Sequence, residues 1–254
     1  MAKIIATANQ KGGVGKTTTA VNLSACVAEL DRRVLLVDID PQGNATSGLG
    51  AATKSGNTLY SVLMGQCAAG DAVRKTKFKN LSVLPSSIDL SGAEIELVGV
   101  PDREKILKRA IDEVRDSFDY IFIDSPPSLG LLTLNALTSA DSVLVPIQCE
   151  YYALEGVGQL MNTLNLVRRH LNPSLDVEGV VLTMLDGRTN LGLQVVGEVK
   201  KYFKGKVFST VVPRNVRLSE APSHGLPIHL YDSRCPGAEA YKKLAGELIK
   251  RNEK

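Results

Sequence analysis

The residues with the most chemical promise stand near the start of the chain, in Lys11-Gly12-Gly13-Val14-Gly15-Lys16-Thr17-Thr18. Before them, Ile4 to Ala8 suits a short buried strand. After them, Thr17 to Leu30 sets Ala20, Leu23, Val27 and Leu30 at helical spacing, so the segment joins a strand to a helix. The first amides of a helix lack internal partners, and glycines let a loop curl so that such donors converge on an anion. Gly12, Gly13 and Gly15 suit that curl around Val14. Lys16 supplies an ammonium for outer phosphates, the Thr17 hydroxyl a magnesium ligand, and the Thr18 hydroxyl a donor to an inner phosphate. The usual phosphate-loop pattern has glycine five residues before Gly15, where this chain has Gln10, followed by a second lysine, Lys11. That second cation points to nucleotide hydrolysis with a partner subunit.

Two further acidic positions belong with this loop. Val34 to Val37 is an apolar run that leads into Asp38-Ile39-Asp40-Pro41, so two carboxylates follow a buried strand, where open α/β sheets bind their ligands. Phosphoryl transfer is catalysed mainly by positioning and charge stabilisation. Asp38 is therefore expected to hold magnesium through water, and Asp40 to orient the attacking water. Asp-x-Asp on its own reads rather as a turn or helix cap, and it is the phosphate loop that favours the functional reading. Tyr120 to Ile123 runs in the same way into Asp124 and then Ser125-Pro126-Pro127, which makes Asp124 a second water-mediated magnesium ligand, or else only the end of a strand before a proline turn.

These groups need a scaffold, and the rest of the chain describes one. Leu81 to Leu84, Ser142 to Ile147 and Val177 to Thr183 are further apolar runs of the kind found in parallel strands covered on both faces. Helical segments lie between most of them. One is expected to open at Pro101 and to carry Ile106, Leu107, Ala110, Ile111 and Val114 on one face. The 254 residues therefore predict a single α/β domain over 1–254, a P-loop fold with a mostly parallel central sheet flanked by helices on both faces.

Composition narrows the setting. Cys26, Cys67, Cys149 and Cys235 are scattered and form no paired motif, which argues against a disulfide framework or a local metal clip and fits a reducing cytoplasm. No stretch approaches the roughly 20 apolar residues of a spanning helix, so a soluble protein is expected. The net charge is +3, and its distribution is uneven: residues 160–254 hold 15 basic against 9 acidic side chains. A basic carboxyl-terminal part is a weak pointer to a polyanion.

Taken with Val37-Asp38-Ile39-Asp40-Pro41-Gln42-Gly43-Asn44, Asp124-Ser125-Pro126-Pro127-Ser128, the stretch from Gln148 to Gly156, and Pro213-Arg214-Asn215-Val216-Arg217 through His224-Gly225, the loop resembles those of the ParA/Soj partition ATPases. These belong to the deviant Walker A group, which also includes MinD, and the resemblance spans essentially the whole chain. It implies ATP and Mg2+ as cofactors, and an ATP-dependent homodimer in which Lys11 reaches phosphate held by the other copy while Lys16 acts within its own. It places Pro213 and Asn215 beside the adenine. It further implies nonspecific binding of the dimer to double-stranded DNA through Arg188 and Arg217, weak basal hydrolysis stimulated by a ParB-type partner, and a cytoplasmic, nucleoid-associated location. The cradle begins about ten residues into the chain, so no operator-binding helix-turn-helix is expected.

Three rivals share the fold. A MinD-like membrane switch would use the last helix, where Leu244, Leu248 and Ile249 face one way and Lys242, Lys243, Lys250 and Arg251 lie nearby. That face is short and lacks Trp and Phe, so docking against the sheet is expected rather than stable membrane association. An iron–sulfur reductase needs converging cysteines that this spacing does not offer. A small-molecule kinase or ligase needs a substrate pocket in place of a second copy.

Overall fold

The computed structural model describes residues 1–51, 56–150, 155–185 and 190–253. The predicted runs form strands close to their expected limits: β1 (Lys3–Thr7), β2 (Val34–Asp38), β4 (Leu81–Leu84), β5 (Tyr120–Asp124), β6 (Ser142–Gln148) and β7 (Asp176–Leu185). Two more were not anticipated, β3 (Arg74–Lys75) and β8 (Val207–Pro213). All eight make one sheet in the order β3-β4-β2-β5-β1-β6-β7-β8, parallel except for the antiparallel β3–β4 pair.

Helices cover both faces, and the strands show why. Side chains alternate along each strand, so Ile4, Ala6, Leu35, Val37, Ile121, Ile123, Val143 and Val145 enter one core while Ile5, Val34, Leu36, Phe122 and Leu144 enter the other. On the first face lie α6 (Ile106–Val114), α7 (Leu131–Ser139), α8 (Glu155–His170) and α9 (Asn190–Tyr202). Short helices α3 (Leu59–Leu63), α4 (Ala69–Ala72) and α5 (Leu90–Glu96) complete that side. The second face holds α1 (Lys16–Glu29), α2 (Asn44–Gly48), α10 (Arg217–Glu220), α11 (Ile228–Tyr231) and α12 (Pro236–Asn252).

Register fixes the functional edge. Asp38 pairs with Asp124 across β2–β5, and Asp124 with Thr7 across β5–β1. Three central strands thus end in one row, with the glycine-rich loop leaving β1 immediately beyond it.

One local expectation changes, and the docking expected of the last helix is observed. Pro101 does not open a helix: Asp102 adopts a left-handed φ of 52°, and a 3-10 turn at Arg103–Lys105 precedes α6, so the helix begins five residues later than expected, at Ile106, where the expected apolar face starts. The last helix packs inward, since Leu244 and Leu248 are fully buried and Thr19 Oγ1 shares a 3.1 Å hydrogen bond with the buried Tyr241 hydroxyl. Its apolar face is therefore already covered by α1 and the sheet. Among the described residues no helix is long and apolar enough to cross a membrane.

Candidate nucleotide site

The loop between β1 and α1 is held open by its neighbours. Gly13 and Gly15 have φ of 74° and 86°, left-handed values that cost an L-residue about 1–2 kcal/mol each. Asn9 anchors the entry: its Nδ2 donates to the Pro146 carbonyl of β6 at 2.7 Å and its Oδ1 accepts from Lys11 N at 3.0 Å. Thr183 of β7 anchors the exit, its Oγ1 donating to the Val14 carbonyl at 2.9 Å while the Val14 side chain is buried. The peptide groups of residues 11–15 are thereby tied to two strands before any ligand arrives, and the free amides at the start of α1 face the edge of the sheet.

The two lysines are differently placed. Lys16 is only 7% exposed, and its Nζ donates to the Lys11 carbonyl at 3.2 Å. Burial lowers its pKa, and the charges of Asp124 and Asp40 pull against that shift. Lys11 is half-buried and forms no ion pair among the described residues. One cation therefore points into its own cradle, and the other, half-buried, has no ion-pair partner among the described residues.

The three aspartates also divide. Asp38 is fully buried and already engaged: Oδ2 accepts from Thr46 N and Thr46 Oγ1, each at 2.7 Å, and Oδ1 accepts from Asp40 N at 3.2 Å. Burial pushes its carboxyl up to about 6, against the pull of Thr46. Asp124 is fully buried and neither oxygen has a hydrogen-bond partner. Burial, and then the Asp38 charge, push its carboxyl well above the usual range, with the Thr17 hydroxyl and Lys16 opposing. A buried carboxylate without partners is costly. What this oxygen set beside Thr17 fits is a hard divalent cation with its water shell, as magnesium has. Asp40 sits at the mouth, 8% exposed; its Oδ1 accepts from Gln42 N at 3.0 Å and its carbonyl accepts from Ser86 Oγ at 2.5 Å.

Beside the loop lies a cavity of about 300 Å³, lined by Gly15, Thr18, Met184, Pro213, Asn215 and Tyr241 among others. Asn215 Oδ1 is buried and unpartnered there, an acceptor suited to an amino group of a heterocyclic base. The wall is shaped by a register shift between β7 and β8 at Thr183–Leu185, where Met184 takes a left-handed φ of 53°.

The structure thus gathers Lys11 to Thr18, Asp38, Asp40, Asp124, Pro213 and Asn215 at one edge. Arg217 is exposed on α10, with its guanidinium 2.8 Å from Glu220 and 3.6 Å from Asp232. Arg188 and residues 151–154 of the Gln148–Gly156 stretch lie outside the described residues. Sequence reasoning missed the supports Asn9, Thr46, Ser86, Thr183 and Tyr241. Only Asn9, next to the loop, and Thr46, just past the Asp-x-Asp pair, carried even a positional signal.

An anion cradle, a buried lysine and a buried, unpartnered carboxylate at the carboxyl edge of a parallel sheet define a P-loop nucleoside triphosphatase. The AAA domain family model matches residues 2–177, and a cobyrinic acid a,c-diamide synthase from Mycobacterium smegmatis, crystallised with an ATP analogue and magnesium, superposes with a TM-score of 0.88 at 38% identity over 100% of this chain and 96% of that one. The sporulation initiation inhibitor protein Soj of Bacillus subtilis is 62% identical over 98% of both chains, and the chromosome partitioning protein ParA of Myxococcus xanthus 55% identical over 98% of this chain and 89% of its own. The chain belongs to the ParA/Soj family of chromosome-partitioning ATPases.

Proposed function

We propose that this chain is a magnesium-dependent ATP hydrolase that moves DNA by switching between two states. ATP joins two copies face to face, the pair holds double-stranded DNA without regard to sequence, and a ParB-type partner speeds hydrolysis and returns the copies to monomers. The observation that carries this reading is the division of labour between Lys16, buried and turned into its own loop, and Lys11, at the rim with no counter-charge among the described residues. An unpaired cation beside a triphosphate cradle is placed to reach phosphate held by a second copy.

The remaining roles follow from position. The loop amides with Gly12, Gly13, Val14 and Gly15, and the Thr18 hydroxyl, hold the phosphates. Thr17, with Asp124 and Asp38 through water, holds Mg2+, which when bound neutralises charge on the phosphate oxygens. Asp40 orients water: Gln42 N fixes one carboxylate oxygen and leaves the other for a water at the mouth. Pro213 and Asn215 close on the adenine. Arg188 and Arg217 supply phosphate contacts to DNA, and two copies double them, so binding should fall steeply with salt. A cytoplasmic, nucleoid-associated protein is the setting this requires. The MinD-like membrane alternative loses ground, because the apolar face of α12 is already spent on packing.

The test is ATP hydrolysis measured alone, with duplex DNA, and with duplex plus the cognate ParB-type protein. The reading expects feeble turnover that rises with both. Fast turnover by the solitary chain, unchanged by either addition, would contradict it.

A further inference from the structure

At the far end of α1 from the phosphate loop, three side chains that could bind a metal converge from distant parts of the chain. Asn22, Cys26 and Glu29 occupy one face of α1 at i, i+4 and i+7. Asn22 Oδ1 accepts from Ile228 N at 2.6 Å, which seats the first residue of α11 on that face and brings the next, His229, over Cys26 and Glu29. Cys26 Sγ lies 3.8 Å from His229 Nδ1, Glu29 Oε2 lies 3.9 Å from His229 Nε2, and one ligand atom from each of the three falls within 4.8 Å of the others. Cys26 and His229 are buried, whereas the Glu29 side chain is 47% exposed.

We propose that Cys26, His229 and Glu29 form a binding site for a thiophilic divalent cation of the zinc class, separate from the nucleotide site. A tetrahedral ion with bonds of about 2.3 Å to sulfur and about 2.0–2.2 Å to nitrogen and oxygen needs ligand atoms roughly 3.4–3.6 Å apart. The Cys26 Sγ–His229 Nδ1 separation of 3.8 Å is a few tenths of an ångström longer, and the remaining ligand-atom separations, all within 4.8 Å, must close by up to about 1 Å. The thiol lies on the Nδ1 side of the ring and the carboxylate on the Nε2 side, so one of them must swing, and Glu29 is exposed enough to do so. One sulfur, one imidazole nitrogen and one carboxylate suit zinc or cobalt rather than magnesium, which prefers oxygen alone. The open side at Glu29 leaves the fourth position to water.

Binding has a defined charge balance. The Cys26 thiol gives its proton to solvent as the sulfur–metal bond forms, and the neutral imidazole donates a lone pair. The ion also replaces Lys242, whose Nζ is 4.0 Å from Glu29 Oε1, as the counter-charge of that carboxylate.

The site has a mechanical consequence. Ala221, Pro222, Ser223 and Leu226, just before α11, line a cavity with Thr17 and Thr18, and Asn22 Nδ2 donates to the Thr18 carbonyl at 2.8 Å. An ion joining α11 to α1 would pin that segment against the nucleotide side of the protein from roughly 15 Å along the helix axis.

The experiment is titration of the reduced, nucleotide-free full chain with Co2+, followed by near-ultraviolet thiolate-to-cobalt absorption and by displacement with Zn2+. The expected result is saturation at one equivalent, loss of the band in Cys26→Ser, an affinity at least about tenfold weaker in Glu29→Gln, and tighter uptake in Lys242→Gln. Hydrogen exchange at residues 226–231 should slow with Zn2+ in the wild type. Glu29 is exposed, so its variant reports on binding even if substitution of buried Cys26 disturbs the fold. No band at excess cobalt, a band that survives Cys26→Ser, or unchanged affinity in Glu29→Gln would overturn the proposal and leave Cys26 and His229 as a metal-free S–H···N pair.

Discussion

Replacing Thr46 by valine keeps its shape and removes one hydroxyl, which makes it a sharp probe of how the site is built. That hydroxyl donates to Asp38 Oδ2 at 2.7 Å and accepts from Ser86 N at 3.0 Å, in a residue only 3% exposed. A hydrogen bond to a charged group contributes about 1.5–3 kcal/mol, and a buried amide left without a partner costs about 1–3 kcal/mol. Burial raises the Asp38 carboxyl to about 6, so its charge is partly quenched near neutrality and the lower ends of both ranges apply. Their sum predicts a loss of about 2.5 kcal/mol. Urea unfolding measures it, since a slope of about 1–3 kcal/mol per molar turns that loss into a midpoint shift of about 0.8–2.5 M. Thr46→Ser keeps the hydroxyl and should restore most of the stability. Ser86 also donates to the Asp40 carbonyl, so turnover should fall while nucleotide affinity changes little. A shift equivalent to less than about 1 kcal/mol, or a serine variant as weak as the valine, would refute the reasoning.

Asp124→Asn should stabilise the ligand-free protein near neutral pH, because it replaces a carboxylate whose charged form burial and Asp38 disfavour. The folded carboxyl holds its proton to higher pH than the unfolded chain does, so the gain should vanish below about pH 4, where both states are protonated, and grow as pH rises. Unfolding midpoints across that range check it, and the same variant should lose Mg2+-dependent turnover. Asp40→Ala should keep nucleotide binding and dimer formation while stopping hydrolysis; an unchanged rate removes Asp40 from water positioning. Arg217→Glu should leave basal turnover intact and weaken retention on any duplex whatever its sequence, whereas undiminished gel retardation moves the DNA contact elsewhere.

The parts legible in the sequence were those where one local rule decides. Buried parallel strands read as apolar runs because both faces are covered, which is why β1, β2, β4, β5, β6 and β7 lie where expected. The edge strand β8 was not among them: Ser209 and Thr210 break its apolar pattern, and both their amides and their hydroxyls go to Glu247 of α12, a partner 37 and 38 residues away. The two-residue β3 exists only through its pairing with β4. The glycine-rich loop and the acidic strand ends were legible because phosphate and metal chemistry dictates residue type at fixed spacing. The groups that hold them were not, since Thr183 reaches Val14 across 169 residues and Tyr241 reaches Thr19 across 222. For the same reason the scattered cysteines gave no hint that Cys26 meets His229.

The most direct test of the account is the particle's size under saturating, non-cleavable ATP analogue and Mg2+, read by light scattering after size exclusion. The account predicts that the wild-type chain doubles its mass, and that Lys11→Ala binds one nucleotide per copy yet stays at the monomer mass. A wild-type chain that remains single with nucleotide bound, or a Lys11→Ala variant that pairs as well as the wild type, would contradict it.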